Sequence, residues 1–515
     1  METQAISSVA SSYPPWVMLK RQATRSSDED SAADVKTLAT GRTTSGHLVG
    51  VSLSLAAPPA ASRICVQIPD GVEMQSCHIL AAHGDSILVE MFCRGLEWGE
   101  NDWTDYFVYN AGDAAAKPPR PPSLMLLPFC PVQGALYNDT TGLLCRGEDD
   151  ELVVAELRAV EVGERRSKKK VPKLLMLRSG EWIVVKKPLI SHVNGEVSEM
   201  LPPKWNSDTV FPVNDRTLCW VDLSQGVIFC DVLHESPGLR YVPLPTDPNF
   251  NRRLIFRNVC ATAGGTVKFV NIFPRCCCGG AGASYCRHSN NAYTIQSWTL
   301  RMDDSMSWVM DGMVDSTELW SLDAYKGLPR IRLAYPVVAL DKPHLICFML
   351  CEDFHVNNGD ETVWMIMVDM RSKTMPVVRL HPGGRGEMLM ENLVPSKVSY
   401  YLNSVPNRSN GGASLSRNAR VDSVPAVNVV NEVRPYNVLS SAQSPCKTCG
   451  EPAVQESAFL TAFQEIATYG LARDDMLKAY SLLSDDNCRR FKSLIGLPMN
   501  LRKDWLLMEI KASEA

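Results

Sequence analysis

Four thiols and an imidazole crowd one glycine-rich stretch of this chain, Arg275-Cys276-Cys277-Cys278-Gly279-Gly280-Ala281-Gly282-Ala283-Ser284-Tyr285-Cys286-Arg287-His288. Zinc takes a tetrahedron of such ligands, and a flexible loop can fold Cys276, Cys278, Cys286 and His288 onto one ion, although the spacing departs from the usual cysteine pairs with two to four residues between them. The expected role is a closed structural site, because nothing beside these residues supplies a general base or an open coordination position. The plainer reading is a connecting loop rich in small residues. A second pair, Cys446-Lys447-Thr448-Cys449, stands alone and reads as an exposed dithiol. Gly84-Asp85-Ser86 with the distant Asp341-Lys342-Pro343-His344 has the residue types of a serine hydrolase of the Gly-Asp-Ser kind, with Ser86 as nucleophile, His344 as base and Asp341 orienting it. A basic run, Arg165, Arg166, Lys168, Lys169, Lys170 and Lys173, has the composition of a nuclear localisation signal or a polyanion contact; its plainer reading is the solvated end of a long hairpin. Trp298, Trp308 and Trp320 have the rings to stack a ligand, and equally the bulk to fill a β core.

What would position these residues is a repeated cassette: an apolar strand ending in Asp or Asn, a short polar turn, and a second apolar stretch that often closes on Leu-Pro. Phe107-Val108-Tyr109-Asn110 leads to Leu127-Pro128. Cys219-Trp220-Val221-Asp222-Leu223 turns at Ser224-Gln225-Gly226 into Val227-Ile228-Phe229-Cys230-Asp231 and runs to Leu244-Pro245. Trp364 to Met370 turns at Arg371-Ser372-Lys373-Thr374 and ends near Leu380-His381-Pro382. Gly264-Gly265 supplies the positive φ of another tight hairpin. Short strands punctuated by turn chemistry over hundreds of residues predict a mainly β, propeller-like body. At ~40 to 50 residues per four-stranded blade, the span makes about six to eight blades. In such a fold Gly84-Asp85-Ser86 is the turn of a hairpin joining residues 78–82 to 87–90. Hydrolases of the Gly-Asp-Ser kind instead alternate strands with helices, so the context argues against that chemistry.

The expected organisation is an N-terminal segment at 1–45, partly disordered, with Pro14-Pro15-Trp16-Val17-Met18-Leu19 as its ordered piece; a β body at 46–395; a Ser-, Asn-, Gly- and Pro-rich disordered linker at 396–450; and a helical module at 451–515. In the module Phe459, Ala462, Phe463 and Ile466 follow helical spacing, and Leu501, Trp505 and Met508 share a face suited to docking or partner binding. The bulk values set further limits. A net charge of -5 over 515 residues offers no global attraction to nucleic acid or anionic membrane. The longest apolar run, Leu345 to Cys351, falls far short of a membrane span of about 20 residues. Seventeen cysteines, mostly single within apolar strands, read as small buried hydrophobes in a reducing compartment, cytoplasm or nucleus.

Several stretches resemble a known family. Pro14-Pro15-Trp16-Val17, Ile79-Leu80-Ala81-Ala82-His83-Gly84-Asp85, Asp105 to Ala111, and above all Leu218-Cys219-Trp220-Val221-Asp222-Leu223 through Gly226 to Leu233 are similar to the plant family called domain of unknown function 1618, greatly expanded in grasses. The family core corresponds to about 218–335, the likeness extends over most of residues 13–395, and Asp475 to Tyr480 with Trp505 to Glu509 look like the tail of longer members. The resemblance implies a cytosolic or nuclear plant protein, likened to the β-rich substrate-recognition regions of F-box proteins. This chain departs from those in lacking an F-box helix set with its Leu-Pro start. Together these observations predict a non-enzymatic protein-interaction or scaffold protein that takes a protein partner and neither a membrane nor nucleic acid. A serine hydrolase and a zinc-assisted regulatory or nucleic-acid adaptor are the alternatives.

Overall fold

The computed structural model describes residues 13–25, 33–70, 72–95, 102–130, 135–146, 151–163, 169–246, 254–275, 291–351, 363–380 and 393–403, with residues 503, 504, 507, 508, 510 and 511 beyond them. The chain divides into two units, residues 1–275 with 289–415, and residues 276–288 with 416–515. In the second unit the six described tail residues are helical; among them Met508 is exposed and Ile510 buried.

The first unit is a six-bladed β-propeller. Blade 1 pairs Val72–His83, Ser86–Gly95, Trp103–Asn110 and Ser123–Leu126 in sequence order. Blade 2 is Thr141–Arg146, Glu151–Val162, Lys169–Arg178 and Glu181–Lys186. Blade 3 is Thr209–Pro212, Thr217–Asp222, Gly226–Asp231 and Leu239–Pro243, widened by the short strands Ile190–His192 and Val197–Ser198. Blade 4 is Arg257–Ala261, Val267–Pro274, Tyr293–Leu300 and Trp308–Asp315, and blade 5 is Ala334–Val338, Leu345–Cys351, Val363–Asp369 and Thr374–Leu380. The four main strands of each form an antiparallel meander, as strands separated by short turns do; in blade 3 the added Ile190–His192 pairs parallel with Leu239–Pro243.

Blade 6 draws on both ends of the unit. Its order is Val394–Ser396, Val17–Leu19, Ala61–Gln67, Leu48–Ser54 and Asp34–Arg42, and Thr24–Arg25 also pairs with Ala61–Gln67. Val17 lies opposite Ser396 and Leu19 opposite Val394 in an antiparallel pair. The β body thus takes in Asp34–Arg42, ahead of the boundary expected at residue 46. Beside this closure Tyr13 N donates to Asn403 Oδ1 at 2.8 Å, and Asn403 Nδ2 returns a bond to Tyr13 O at 3.3 Å.

The apolar core is distributed around the ring. Six clusters of buried side chains each lie between two neighbouring blades: Tyr109 and Val51 between blades 6 and 1, Leu88 and Val154 between 1 and 2, Met176 and Trp220 between 2 and 3, Phe229 and Phe269 between 3 and 4, Ile295 and Phe348 between 4 and 5, and Cys347 with Met18 between 5 and 6. Six junctions for six blades close the circle. This explains the uninterrupted apolar runs: a strand inside a blade packs on both faces, so strict alternation is not required of it. Leu345–Cys351 is buried at six of its seven positions.

Turn chemistry falls where the residue types placed it. Gly84-Asp85 joins Val72–His83 to Ser86–Gly95, with Ser86, expected in the turn, already paired opposite His83; Ser224-Gln225 leads into Gly226–Asp231, and Arg371 to Lys373 joins the third and fourth strands of blade 5. At Gly264-Gly265 only the second glycine has positive φ, +75°, and a Cβ there would stand 2.9 Å from Val213 O, so both conformation and space require glycine at Gly265.

Candidate functional site

The first strand of each of blades 1 to 5, together with Val394–Ser396 of blade 6, lines a central cavity of about 950 Å³. The residues that follow these inner strands come together at one mouth: Cys145 N lies 3.0 Å from His83 Nδ1, Gly265 packs on Val213, and Ala263 N donates to Leu340 O at 2.9 Å. This turn-side mouth carries His83, Asp85, Asn214, Asp215, Lys397 and Tyr401. The opposite end lies where inner strands begin, with Asp139 just before blade 2 and Asp208 just before blade 3.

At the turn-side mouth, hydrogen bonding organises blade 1. Gly112 N donates to Asn110 Oδ1 at 2.7 Å, Asn110 Nδ2 donates to Ser86 Oγ at 3.1 Å, and Ser86 Oγ donates to Asp85 Oδ1 at 2.8 Å. Because Cys145 N–H donates to His83 Nδ1, the neutral ring carries its proton on Nε2. Burial holds His83 below its ordinary pKa, against the pull of Asp215 and Asp85, and so favours that neutral form. Burial also lowers Lys397 and raises the Tyr401 phenol, the latter with help from Asp85 and its neighbouring carboxylates.

At the opposite end the charges are tied down. Arg21 is buried and donates to Ile79 O and Leu80 O, both at 3.1 Å; Arg257 donates to Leu223 O at 3.1 Å and to Asn271 Oδ1 at 3.2 Å. Asp208 accepts Leu223 N–H at 2.7 Å, yet burial, with Asp222 and Asp139 nearby, pushes it up to about 6.

The residues of the hydrolase-like pattern are not assembled. Ser86 is buried in blade 1 with Asp85 and Asn110 as its partners, whereas His344 lies in blade 5 with Nε2 3.9 Å from Asp369 Oδ2, and lines a smaller cavity with Lys268 and Asp311. The carboxylate beside His344 is therefore Asp369, not the sequence-adjacent Asp341. In the basic run, Lys169, Lys170 and Lys173 belong to Lys169–Arg178, which pairs with Glu151–Val162 as the long hairpin foreseen, and Lys170 Nζ donates to Trp205 O at 2.7 Å. Arg165, Arg166 and Lys168 lie outside the described residues, as do Cys276, Cys278, Cys286, His288, Cys446, Cys449, Leu501 and Trp505. Among the described residues no group of three or more His, Cys, Asp or Glu side chains is arranged to hold a metal ion. The tryptophans are packing residues: Trp298 stacks on Phe269 at 5.2 Å, Trp308 meets the same ring edge-on and donates to Pro243 O at 2.9 Å, and Trp320 meets Tyr293 edge-on at 6.1 Å.

Residues 220–347, from the second strand of blade 3 into the second strand of blade 5, match the model of a family described as a protein of unknown function, DUF1618. This stretch belongs to DUF1618. The match begins two residues after the expected core and continues twelve beyond it, so the DUF1618 region spans parts of three blades and is not a free-standing fold. No curated protein matches the chain. Among solved structures, the β-propeller domain of Cps50 (Swd1) from Myceliophteria thermophila is similar over 61% of this chain and 90% of its own, at 8% identity and a TM-score of 0.25. The Aleuria aurantia lectin in complex with alpha-methyl-L-fucoside is similar over 71% of this chain and 97% of its own, at 9% identity and a TM-score of 0.26. The propeller assignment rests on the sheet topology and the six junction cores.

Sequence reasoning passed over His83, Asn110, Asp215, Lys397 and Tyr401 as a set. They belong to blades 1, 3 and 6 and to the short helix Val398–Tyr401, and no local pattern announces a mouth built from residues more than 300 positions apart.

Proposed function

We propose that this protein is a non-enzymatic interaction scaffold, a closed six-bladed ring that presents its loops and its turn-side mouth to a protein partner. The observation that carries the reading is the separation of the hydrolase-like residues. Ser86 is buried and hydrogen-bonded within blade 1, and the nearest histidine, His83, already spends Nδ1 on Cys145 N–H, which removes that nitrogen as a base. The balance of charge lining the channel, with a net charge of -5 for the whole chain, favours a protein partner over a polyanion. We place it in the cytoplasm or nucleus of a plant cell. Cysteines packed singly in blade interiors, such as Cys219, Cys260 and Cys347, support the reducing compartment. Among the described residues no helix is long and apolar enough to cross a membrane.

The test has two arms. Affinity purification of the tagged full chain, followed by reconstitution with the purified partner, is expected to give a complex that survives Ser86→Ala; comparison with a chain lacking residues 451–515 assigns the contact to the ring or to the tail. A fluorophosphonate probe is expected to leave Ser86 unlabelled. Stoichiometric labelling that disappears in Ser86→Ala, with hydrolysis of a short-chain ester lost in parallel, would overturn the scaffold in favour of an enzyme.

A further inference from the structure

We propose that the turn-side mouth is a binding site for a short peptide with free ends, its carboxylate held by Lys397 and its ammonium by Asp85 and Asp215. The site lies in the turn-side mouth already offered to a partner, so the proposal rests on that reading and narrows it to a ligand class; failure of peptide binding alone would leave the wider scaffold standing. The mouth presents opposite charges from three blades, Asp85 from blade 1, Asp215 from blade 3 and Lys397 from blade 6, and none of the three makes an ion pair among the described residues. Their charges face one cavity without cancelling by contact; Lys397 and Asp85 are half-buried and Asp215 is exposed, so a ligand of complementary charge can pair with each.

The geometry favours a ligand bearing both signs. Four cationic and four carboxylate side chains line the cavity as a whole, so an ion of a single sign meets as much repulsion as attraction. Asp85 is oriented in advance: Ser86 Oγ donates to its Oδ1, Asn110 Nδ2 donates to Ser86, and Gly112 N holds Asn110 in turn. His83, neutral with its proton on Nε2, adds a donor and no charge, which suits a peptide carbonyl. The Tyr401 hydroxyl lies beside Gly84, 3.8 Å from where a Cβ would stand. A cavity of about 950 Å³ falls within the range that buries a drug-sized ligand, and a tripeptide is of that size.

Saturation-transfer difference NMR on the full-length protein tests this, with a pool of unblocked tripeptides compared against the same pool N-acetylated, C-amidated, or both. Unblocked peptides are expected to show transfer at millimolar concentration, each single block to weaken binding about tenfold, and the double block to abolish it. Lys397→Met is expected to erase the effect of amidation while keeping that of acetylation. Asp215→Asn and Asp85→Asn are expected to do the reverse, with melting temperatures confirming that each variant folds. Equal transfer to blocked and unblocked pools, no transfer to the unblocked pool, or blocking effects that persist unchanged in the variants would each overturn the proposal.

Discussion

At the scale of single residues, the instructive carboxylate is Asp208. An aspartate that accepts a backbone N–H ordinarily titrates low, yet here burial wins and the group rises to about 6. Between roughly pH 4 and 6 the folded chain therefore keeps a proton that the unfolded chain releases, so stability declines as pH rises through that window and the penalty persists above it. Asp208→Asn retains an oxygen for Leu223 N–H and removes the charge. The variant is expected to gain about 1–3 kcal/mol at pH 7 and to flatten the fall in melting temperature between pH 4 and 7. Thermal melts of the two proteins across that range check it, and parallel curves would refute the assignment. The opposite sign is expected at Trp220. Its indole is fully buried and donates to Thr140 O at 2.7 Å, joining blade 3 to the approach of blade 2, and Trp220→Phe is expected to cost about 1–3 kcal/mol in urea unfolding.

At the scale of elements, two adjacent glycines separate a turn requirement from a mere turn preference. Gly265, with positive φ and Val213 O against its missing Cβ, is expected to lose about 1–3 kcal/mol on change to Ala, while Gly264, which has nothing within 4 Å of where a methyl would stand, is expected to stay within about 0.5 kcal/mol of the parent. Equal losses at the two positions would show that the hairpin tolerates no side chain at all. The hairpins were legible because a turn is a local event: Ser224-Gln225-Gly226 and Gly84-Asp85 declare themselves within four residues. The propeller was legible because its strands recur. What stayed hidden is whatever depends on blades meeting. Lys397 and Asp215 read in sequence as unremarkable surface charges, and their common cavity exists only once the ring is formed. The Asp-x-x-His at Asp341 and His344, set aside on its all-β context, is parted in space for the same reason, since His344 finds its carboxylate in Asp369 at the end of the adjacent strand. Unequal spacing of the cassettes also had a physical cause: the hairpin Ile190–His192 with Val197–Ser198 lengthens blade 3, and blade 6 is divided between the two ends of the unit.

At the scale of the whole molecule, stability turns on the strand Val17–Leu19. Its three side chains are fully buried, Met18 facing the junction with blade 5 and Val17 and Leu19 the junction with blade 1. Met18→Ala is expected to cost about 2–5 kcal/mol. Removing residues 1–20 is expected to open the ring, seen as a broadened, lowered thermal transition and new protease cleavage within blades 5 and 6, whereas removing residues 1–12 is expected to leave the melt unchanged. A Δ1–20 protein that melts like the full chain would mean that another element closes the circle.

The same closure has a consequence in time. Tyr13 and Asn403, which bond to each other beside the joined strands, are 390 positions apart in the chain. A ribosome adding about 5–20 residues per second needs on the order of 20–80 s to travel between them. Throughout that interval Val17–Leu19 has no partner from Val394–Ser396, and the blades finished so far, five of them once Leu380 is made, stand as an open arc with an uncovered apolar face at each end. The nascent protein is in that sense a different molecule from the mature one, sticky at its two ends, and the arc's natural hazard is to accept the matching strand of a neighbouring nascent chain. Slow synthesis lengthens that exposure and crowded polysomes multiply the neighbours, so the yield of closed rings is a property of translation as much as of sequence.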